Sequence, residues 1–484
     1  MVQLAVCDRE LIENCLAEAG VCPRCTLRFT GEKYAPIYRK LSGDIAESAK
    51  KVRPNCCVAC LGALQDEWMV PLLSEVAETI NNCGYDAETF SLTLSIPMCI
   101  SLRQHSLLVY LRQKLPPSIV EGLSIDKVAS IKQIWKYIYP QLVAEKVKIE
   151  HSAEDPGFSA EIQADWIQES AELECMALLC PQEYATRAQN IHVYNMGVFS
   201  RMGVEKSLSC VDDHQFSLHY PVPPSIPSTS ITVCTKMIRS SLFIGGRYCK
   251  YSRDLPQTPW LINNVRKCET SVEELLASCI ADSVQASELK FLASGREDVD
   301  VRMLGTGRPF AIECCNPKRS IFSVSQLQQL EVEFNKHNND ISLQELSIVT
   351  KESIKKLKEG EEEKRKRYTA LCVTSNPVDR EMFKALEQMT DLKVEQQTPI
   401  RVLHRRANST RNKIIHKMNF SFDNLASNMF KIDVITSAGT YVKEFVHGDF
   451  SRTIPSLKTL LEVDTDILAL DVMEVMLPWP PVKE

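Results

Sequence analysis

Asp298 is the residue of this chain best placed to do chemistry. It stands in S-G-R-E-D-V-D-V-R-M-L-G-T-G-R (294–308), directly after an alternating apolar run, Leu289, Phe291 and Ala293, that reads as a strand. Arg296, Arg302 and Arg308 flank it in sequence, and glycines stand at 295 and 305. Neighbouring cations keep a carboxylate ionised, as a nucleophile or base must be. The glycines let a large ligand come close to the backbone. Asp300, two residues further along an extended chain, is expected to point the other way. The competing reading of the same residues is a loop knitted by local ion pairs.

A second set is built of sulfur. Cys22-x2-Cys25 and Cys57-x2-Cys60 offer four thiolates on two tight turns, the tetrahedral set that structural zinc prefers. With all four positions filled by sulfur, the metal has no open site and its role is structural. Cys56 could substitute for Cys57. A redox C-x-x-C is the alternative, made weaker by the presence of two copies. A zinc deaminase would need H-x-E beside P-C-x-x-C, and no H-x-E occurs in the chain.

Two segments carry cations without acids. G-G-R-Y-C-K-Y-S-R (245–253) interleaves Arg247 and Lys250 with Tyr248 and Tyr251, and a Pro-held loop then leads to Trp260. T-P-I-R-V-L-H-R-R (398–406) supplies Arg401, Arg405 and Arg406, and Arg411 follows. Cations for phosphates and aromatics for bases are the materials of RNA binding. The net charge of −6 argues mildly against a nucleic-acid binder, but local patches set the field a ligand meets. Ordinary surface basicity is the alternative for each segment. His404 and His447 read as structural hydrogen bonders.

These residues need elements to hold them. The 484 residues suffice for two or three domains, and a hydrophobic content of 44% for sizeable cores. Helices are expected over 9–19, from Leu64 to Gly84 with a kink or late start at Pro71, and over 125–139. Strands are expected over 89–97, 158–163 and 171–179. Y-P-V-P-P-S-I-P (220–227) cannot form a helix or central strand, and the main boundary is placed there. Beyond it the pattern gives strands at 231–238 and 241–248 and a helix at 272–286 with a Ser271/Glu274 capping box. Further strands are expected at 288–294, 308–314, 368–374 and 431–436, and helices near 324–337 and 351–366. K-R-K-R (364–367) is either a nuclear signal or the solvated end of a charged helix.

The 19 cysteines include Cys175, Cys234 and Cys279 within apolar periods, where they read as small core residues. Residues 1–10 carry Asp8, Arg9 and Glu10 and no signal-peptide pattern, and no apolar run approaches about 18 residues. Reduced thiols in the nucleus or cytoplasm follow as the expectation.

An aspartate following a Gly-Arg pair by one residue resembles the nucleophile motif of pseudouridine synthases. S-A-G-T-Y-V-K-E-F (437–445) resembles the G-T-Y-[IV]-[RK] motif of the same superfamily, and Tyr368 in K-R-Y opens an apolar strand as its stacking aromatic does. The chain is most similar to the archaeal–eukaryotic tRNA pseudouridine synthases that modify uridines 54 and 55 of the T arm. That resemblance implies an α+β fold: a mixed-sheet catalytic domain (231–484) preceded by a zinc-binding region (1–84) and a THUMP-like RNA-binding domain (85–220). It implies Asp298 as nucleophile, Lys443 as its ionic partner, Tyr368 as the platform for a flipped base and Tyr441 as a pocket wall. Lys in place of the Arg of the bacterial branch leaves a point-charge contact without a bidentate clamp. The segment of Arg247, Tyr248, Lys250 and Trp260 corresponds to a forefinger loop touching RNA, and that of Arg401, Arg405, Arg406 and Arg411 to a thumb loop.

The zinc of Cys22, Cys25, Cys57 and Cys60 is structural, and no organic cofactor is implied. The partner is tRNA, with other structured RNA open; no membrane is involved and the protein acts as a monomer. Whether the carboxylate attacks the base or assists its departure stays open. The alternative is a non-catalytic, zinc-containing RNA-binding adaptor that keeps the fold. It predicts damage at Asp298, Tyr368 or Lys443, and none is visible.

Overall fold

The computed structural model describes residues 6–48, 55–121, 123–189, 198–377, 379–423 and 425–481. The chain divides into two compact units, Met1–Arg239 and Ser240–Glu484.

The first unit is built on a four-stranded sheet of β1 (Thr89–Ser95), β2 (Glu150–His151), β3 (Phe158–Asp165) and β4 (Thr232–Ile238), in the order β2-β1-β3-β4. β1 runs parallel to β2 and β3, so the chain must cross over between them, and helices Cys99–Lys114 and Ile131–Val147 do so. The helix Asp66–Asn82 runs unbroken through Pro71 and buries Met69, Leu73, Val76 and Ile80. They join one core with Phe90, Leu92, Trp135 and Tyr139. Residues on both sides of position 84, expected in separate domains, therefore share a single core.

Three further expectations are corrected here. The strand at 231–238 does not open the catalytic unit; it pairs antiparallel with β3, Ile162 opposite Thr235, and the division falls after Arg239. The segment 171–179 is not a strand but two short helices, Glu169–Leu173 and Met176–Leu179. Its Glu, Leu, Ala and Met are helix formers and it lacks β-branched residues. Cys234 lies on the outward face of β4 and is exposed, and Cys175 and Cys279 are only partly buried.

The second unit holds a ten-stranded mixed sheet. β5 (Leu242–Lys250) is followed by a small hairpin, β6 (Leu261–Ile262) and β7 (Val265–Arg266), outside that sheet. The sheet then gains β8 (Glu288–Ala293), β9 (Arg302–Cys315), β10 (Ile341–Val349), β11 (Lys366–Thr374), β12 (Leu392–Gln397), β13 (Thr410–Ser421), β14 (Met429–Thr436), β15 (Thr453–Ile454) and β16 (Thr465–Val475). Its order is β10-β5-β9-β16-β11-β14-β13-β12-β15, with β8 on β9. The helix Val272–Val284 starts at Ser271, whose hydroxyl accepts from the Glu274 N–H. The expected capping box is only half formed, because the Glu274 carboxylate turns to Arg266 and the Ser271 hydroxyl.

Two halves of the sheet meet at the parallel pair β9/β16, where Asp471 lies opposite Arg302. Gly305 (φ +57°) makes that approach possible, since a Cβ there would lie 2.1 Å from the Met473 carbonyl oxygen. β11 pairs with β16, Tyr368 opposite Val472. The turn between β8 and β9, the start of β11 and the loop after β14 are thereby gathered at one place.

Candidate active site

Asp298 lies in the turn that joins β8 to β9. The chain is not extended here, because the Val301 N–H closes back on the Asp298 carbonyl at 3.1 Å. Gly295 (φ +83°) begins the turn, and a Cβ on it would meet Lys366 Nζ at 2.9 Å and Arg308 at 3.1 Å. Beneath the turn is a sealed polar network. Glu297 accepts from Arg308 Nε at 2.6 Å and from the Tyr248 hydroxyl at 2.9 Å. Arg308 also donates to the Ser294 carbonyl, and Gln257 Nε2 to the Gly295 carbonyl and the Tyr248 oxygen. Both ends of the Arg308–Glu297 pair are buried and each is hydrogen-bonded, the condition under which a buried ion pair is tolerable. Glu297 thus faces inward and leaves Asp298 facing out.

The Asp298 carboxylate opens into a cavity of about 370 Å³ lined by the turn, Lys366 and Tyr368 of β11, Arg401, Val402, Arg405 and Arg406, and Gly439–Lys443. That volume lies within the roughly 300–1,000 Å³ of small-molecule sites. Eight Lys or Arg side chains but only two carboxylates, Glu297 and Asp298, line it. Such a concave, predominantly cationic surface focuses its field on an anion.

The three residues expected to act together do meet, with one change of partner. Arg401 Nη1 donates to Asp298 Oδ2 at 2.8 Å, whereas Lys443 Nζ is 3.5 Å away. Lys443 binds Asp300 more closely, at 2.6 and 2.9 Å. Asp300 therefore does not point away from Asp298; the closed turn brings both carboxylates to one ammonium. Burial works against the charge on Asp300, but Lys443 outweighs it and holds the carboxyl below its ordinary value. Tyr368 lines the cavity, and its phenol is pushed up to about 12, by burial first, with Glu297 and Asp298 adding against Arg308. It stays neutral. Tyr441 stands at the start of the helix Val442–His447, its backbone clasped by Gln396 and its hydroxyl accepting from Arg406.

The second basic segment reaches the cavity. Arg405, Arg406 and Arg411 are exposed and line the cavity. Their loop is anchored by Arg452, which donates to the Thr398 carbonyl, and by Asp449, which accepts from the Ile400 N–H. The first segment does not. Arg247 is buried, donating to the carbonyls of Thr306, Gly307, Leu477 and Trp479. Tyr248 and Lys250 are fully buried as well. β5 runs between β9 and β10, and its polar ends reach inward to satisfy carbonyls. Trp260 is 41% exposed beside the β6/β7 hairpin and is not part of the cavity wall. His447 accepts from the Asp449 N–H, a structural role.

Sequence reasoning missed the direct link from Arg401 to Asp298, and with it Glu444. The Glu444 carboxylate is 2% exposed and accepts from Arg401 Nε at 2.7 Å. A glutamate between Lys443 and Phe445-Val446 in a six-residue helix is the trace of such a buried acid, since a buried acid demands a cation.

In the first unit Cys22, Cys25, Cys57 and Cys60 are buried with all four sulfurs within 4.8 Å of one another. Cys22 Sγ is 4.0 Å from Cys60 Sγ, against about 3.8 Å for two corners of a tetrahedron with metal–sulfur bonds of about 2.3 Å. The Cys22 N–H donates to Cys57 Sγ and Arg28 to Cys25 Sγ, the outer support that ligating thiolates need. These four can hold a metal ion. Cys56 is buried but is not one of them.

The site is thus a carboxylate on a strand-to-strand turn, a neutral tyrosine and a cationic cavity, and known relatives give the class of protein, pseudouridine synthase. A family model described as Pus10, C-terminal, matches residues 243–476, and one for eukaryotic Pus10, N-terminal, matches 57–237. The mouse tRNA pseudouridine synthase Pus10 is 37% identical over 91% of this chain and 82% of its own length. The Xenopus laevis protein of that name is 34% identical over 97% of both chains. The Methanopyrus kandleri protein is 38% identical over 49% of this chain and 56% of its own. The chain belongs to the Pus10 family of tRNA pseudouridine synthases. A solved Cbf5-Nop10-Gar1 complex is similar at 14% identity and a TM-score of 0.27 over 47% of each chain, too remote to add to the assignment.

Proposed function

We propose that this protein converts uridine to pseudouridine in the T arm of tRNA, at positions 54, 55 or both, with Asp298 as the catalytic carboxylate. The observation that carries the reading is the Asp298 carboxylate, held by Arg401 at 2.8 Å in a cationic cavity that Tyr368 also lines. The reaction breaks the bond from N1 of the base to C1′ of the ribose and joins C1′ to C5. The C5 proton leaves and N1 gains one, so no redox partner or energy carrier is consumed. Asp298 serves either by attacking the base or by assisting its departure from the sugar. The uridine must first leave the RNA stack. Tyr368 supplies a flat neutral face for it, and Arg405, Arg406 and Arg411 supply charge for the flanking phosphates.

The same reading gives the first unit the accessory role. Cys22, Cys25, Cys57 and Cys60 hold zinc, which organises their two turns and takes no part in the isomerisation. Residues 85–220 contribute a THUMP-like second RNA surface. The protein acts as a monomer in the nucleus and cytoplasm, in keeping with its many free thiols. The adaptor alternative is disfavoured because Asp298, Tyr368 and Lys443 are intact and line one cavity. The test is chemical mapping of pseudouridine in a T-arm transcript after incubation with the protein. Conversion at position 54 or 55 supports the reading; a bound but unmodified transcript favours the adaptor.

A further inference from the structure

Lys250 ends β5 fully buried beneath the Asp298 turn. Its ammonium donates to three backbone carbonyls: Val299 at 2.8 Å, Leu255 at 2.9 Å and Asp298 itself at 3.2 Å. No carboxylate is among these partners. Three carbonyls match the three N–H groups of an ammonium, whereas a neutral amine offers two. The Asp298 carbonyl is held twice, by Lys250 and by the Val301 N–H.

We infer that Lys250 is a positioning residue for the isomerisation: its ammonium pins the peptides of Asp298 and Val299 to the Leu255 loop and so aims the Asp298 carboxylate into the cavity. The inference rests on the reading of Asp298 as the catalytic carboxylate. A lysine that merely filled core space would not need its charge. A surface lysine binding RNA would not be sealed under a turn. This ammonium instead touches the backbone of the reacting residue, where a small shift in direction reaches the carboxylate.

The protonation state of Lys250 then matters. Burial pulls its pKa down from the ordinary lysine value to about 8. Glu297 and Asp300 resist that fall; Arg308 and Arg253 add to it. Asp300 is itself engaged by Lys443, and Arg253 donates to the Asp300 carbonyl. Below the folded pKa all three carbonyls are served. As pH rises through it, one donor and the charge are lost, and the turn loosens.

The experiment uses the full chain and a T-arm transcript. Single-turnover rates, transcript affinity and melting temperature are measured between pH 6.5 and 9.5 for wild type, Lys250→Gln and Lys250→Met. The wild-type rate at saturating enzyme should fall above about pH 8, the limb set by the lysine. Lys250→Gln, which keeps donors but not the charge, should lose that limb and run on the order of a hundredfold slower, with affinity within about threefold. A rate within a few-fold of wild type in a folded variant overturns the inference. So does a wild-type rate flat to pH 9.5, a result that stands even if neither variant folds. If wild type makes no pseudouridine, or Asp298→Asn stays active, the fault lies with the proposed function.

Discussion

Replacing Arg401 with methionine should damage the protein in two separable ways. Arg401 bridges the Asp298 carboxylate at 2.8 Å and the Glu444 carboxylate at 2.7 Å. Glu444 is 2% exposed, so the variant leaves a buried carboxylate without its cation. Breaking a buried pair from one side costs 3–5 kcal/mol, and the partial exposure of Arg401 puts the expected loss near the lower bound, about 3 kcal/mol. The contact to Asp298 is a charge-assisted hydrogen bond of the kind worth about 1.5–3 kcal/mol. If all of it serves to hold the carboxylate in its reacting position, the step slows about 10- to 150-fold. Adding Glu444→Gln removes the orphaned charge but does nothing for Asp298. The double variant should therefore regain most of the stability while remaining slow. Urea unfolding measures the first quantity and single-turnover isomerisation the second. Recovery of both by Glu444→Gln would mean that Arg401 acts on the fold alone. Loss of neither in Arg401→Met would mean that the two contacts contribute nothing in solution.

Three further outcomes are expected. Asp298→Asn should abolish isomerisation while leaving tRNA affinity within about a few-fold, because shape is kept and the nucleophile is lost; Asp300→Asn, which only frees Lys443, should slow the reaction without stopping it, and the reverse result would exchange their roles. Metal analysis should find one zinc ion per chain, gone from the Cys22→Ser, Cys57→Ser double variant; full retention would point to other ligands. Arg405→Ala with Arg406→Ala should weaken tRNA binding and flatten its log–log salt dependence by about 0.7–0.9 per lost phosphate contact. An unchanged slope would place those arginines against solvent or protein.

The parts of the site legible in the sequence were those carried by short contiguous runs. G-R-E-D and G-T-Y-V-K each fix a backbone turn and the side chains it presents, so Asp298, Tyr441 and Lys443 were readable without knowing their neighbours. The loop at 398–411 was readable as a cationic segment because no acid stands between Gln396 and Lys417. The other basic segment misled for a physical reason. Charge interleaved with aromatics along β5 says nothing about which side of a strand is covered, and β5 is covered on both. Arg247 and Lys250 are therefore buried cations that serve carbonyls. The Arg401–Asp298 contact spans 103 residues and has no local signature. The boundary at the proline run was close but early. Those prolines do interrupt the chain, yet only pairing partners could show that Thr232–Ile238 completes the first sheet.

That strand decides where the chain can be cut. A fragment beginning at 231 would carry off the fourth strand of the first unit and strip β3 of its ladder from Ser159 to Asp165. It would also remove Arg239, which donates to the Gly157 carbonyl and pairs with Asp86. The severed strand, T-V-C-T-K-M-I, would arrive at the head of the other piece with no ladder to join, an open edge of the kind that recruits copies of itself. Scission after Arg239 leaves both ladders whole. The residues Ser240 and Ser241 are thus the natural seam for expressing the halves apart, and an aggregating 231–484 fragment would report a misplaced cut and not an unstable enzyme.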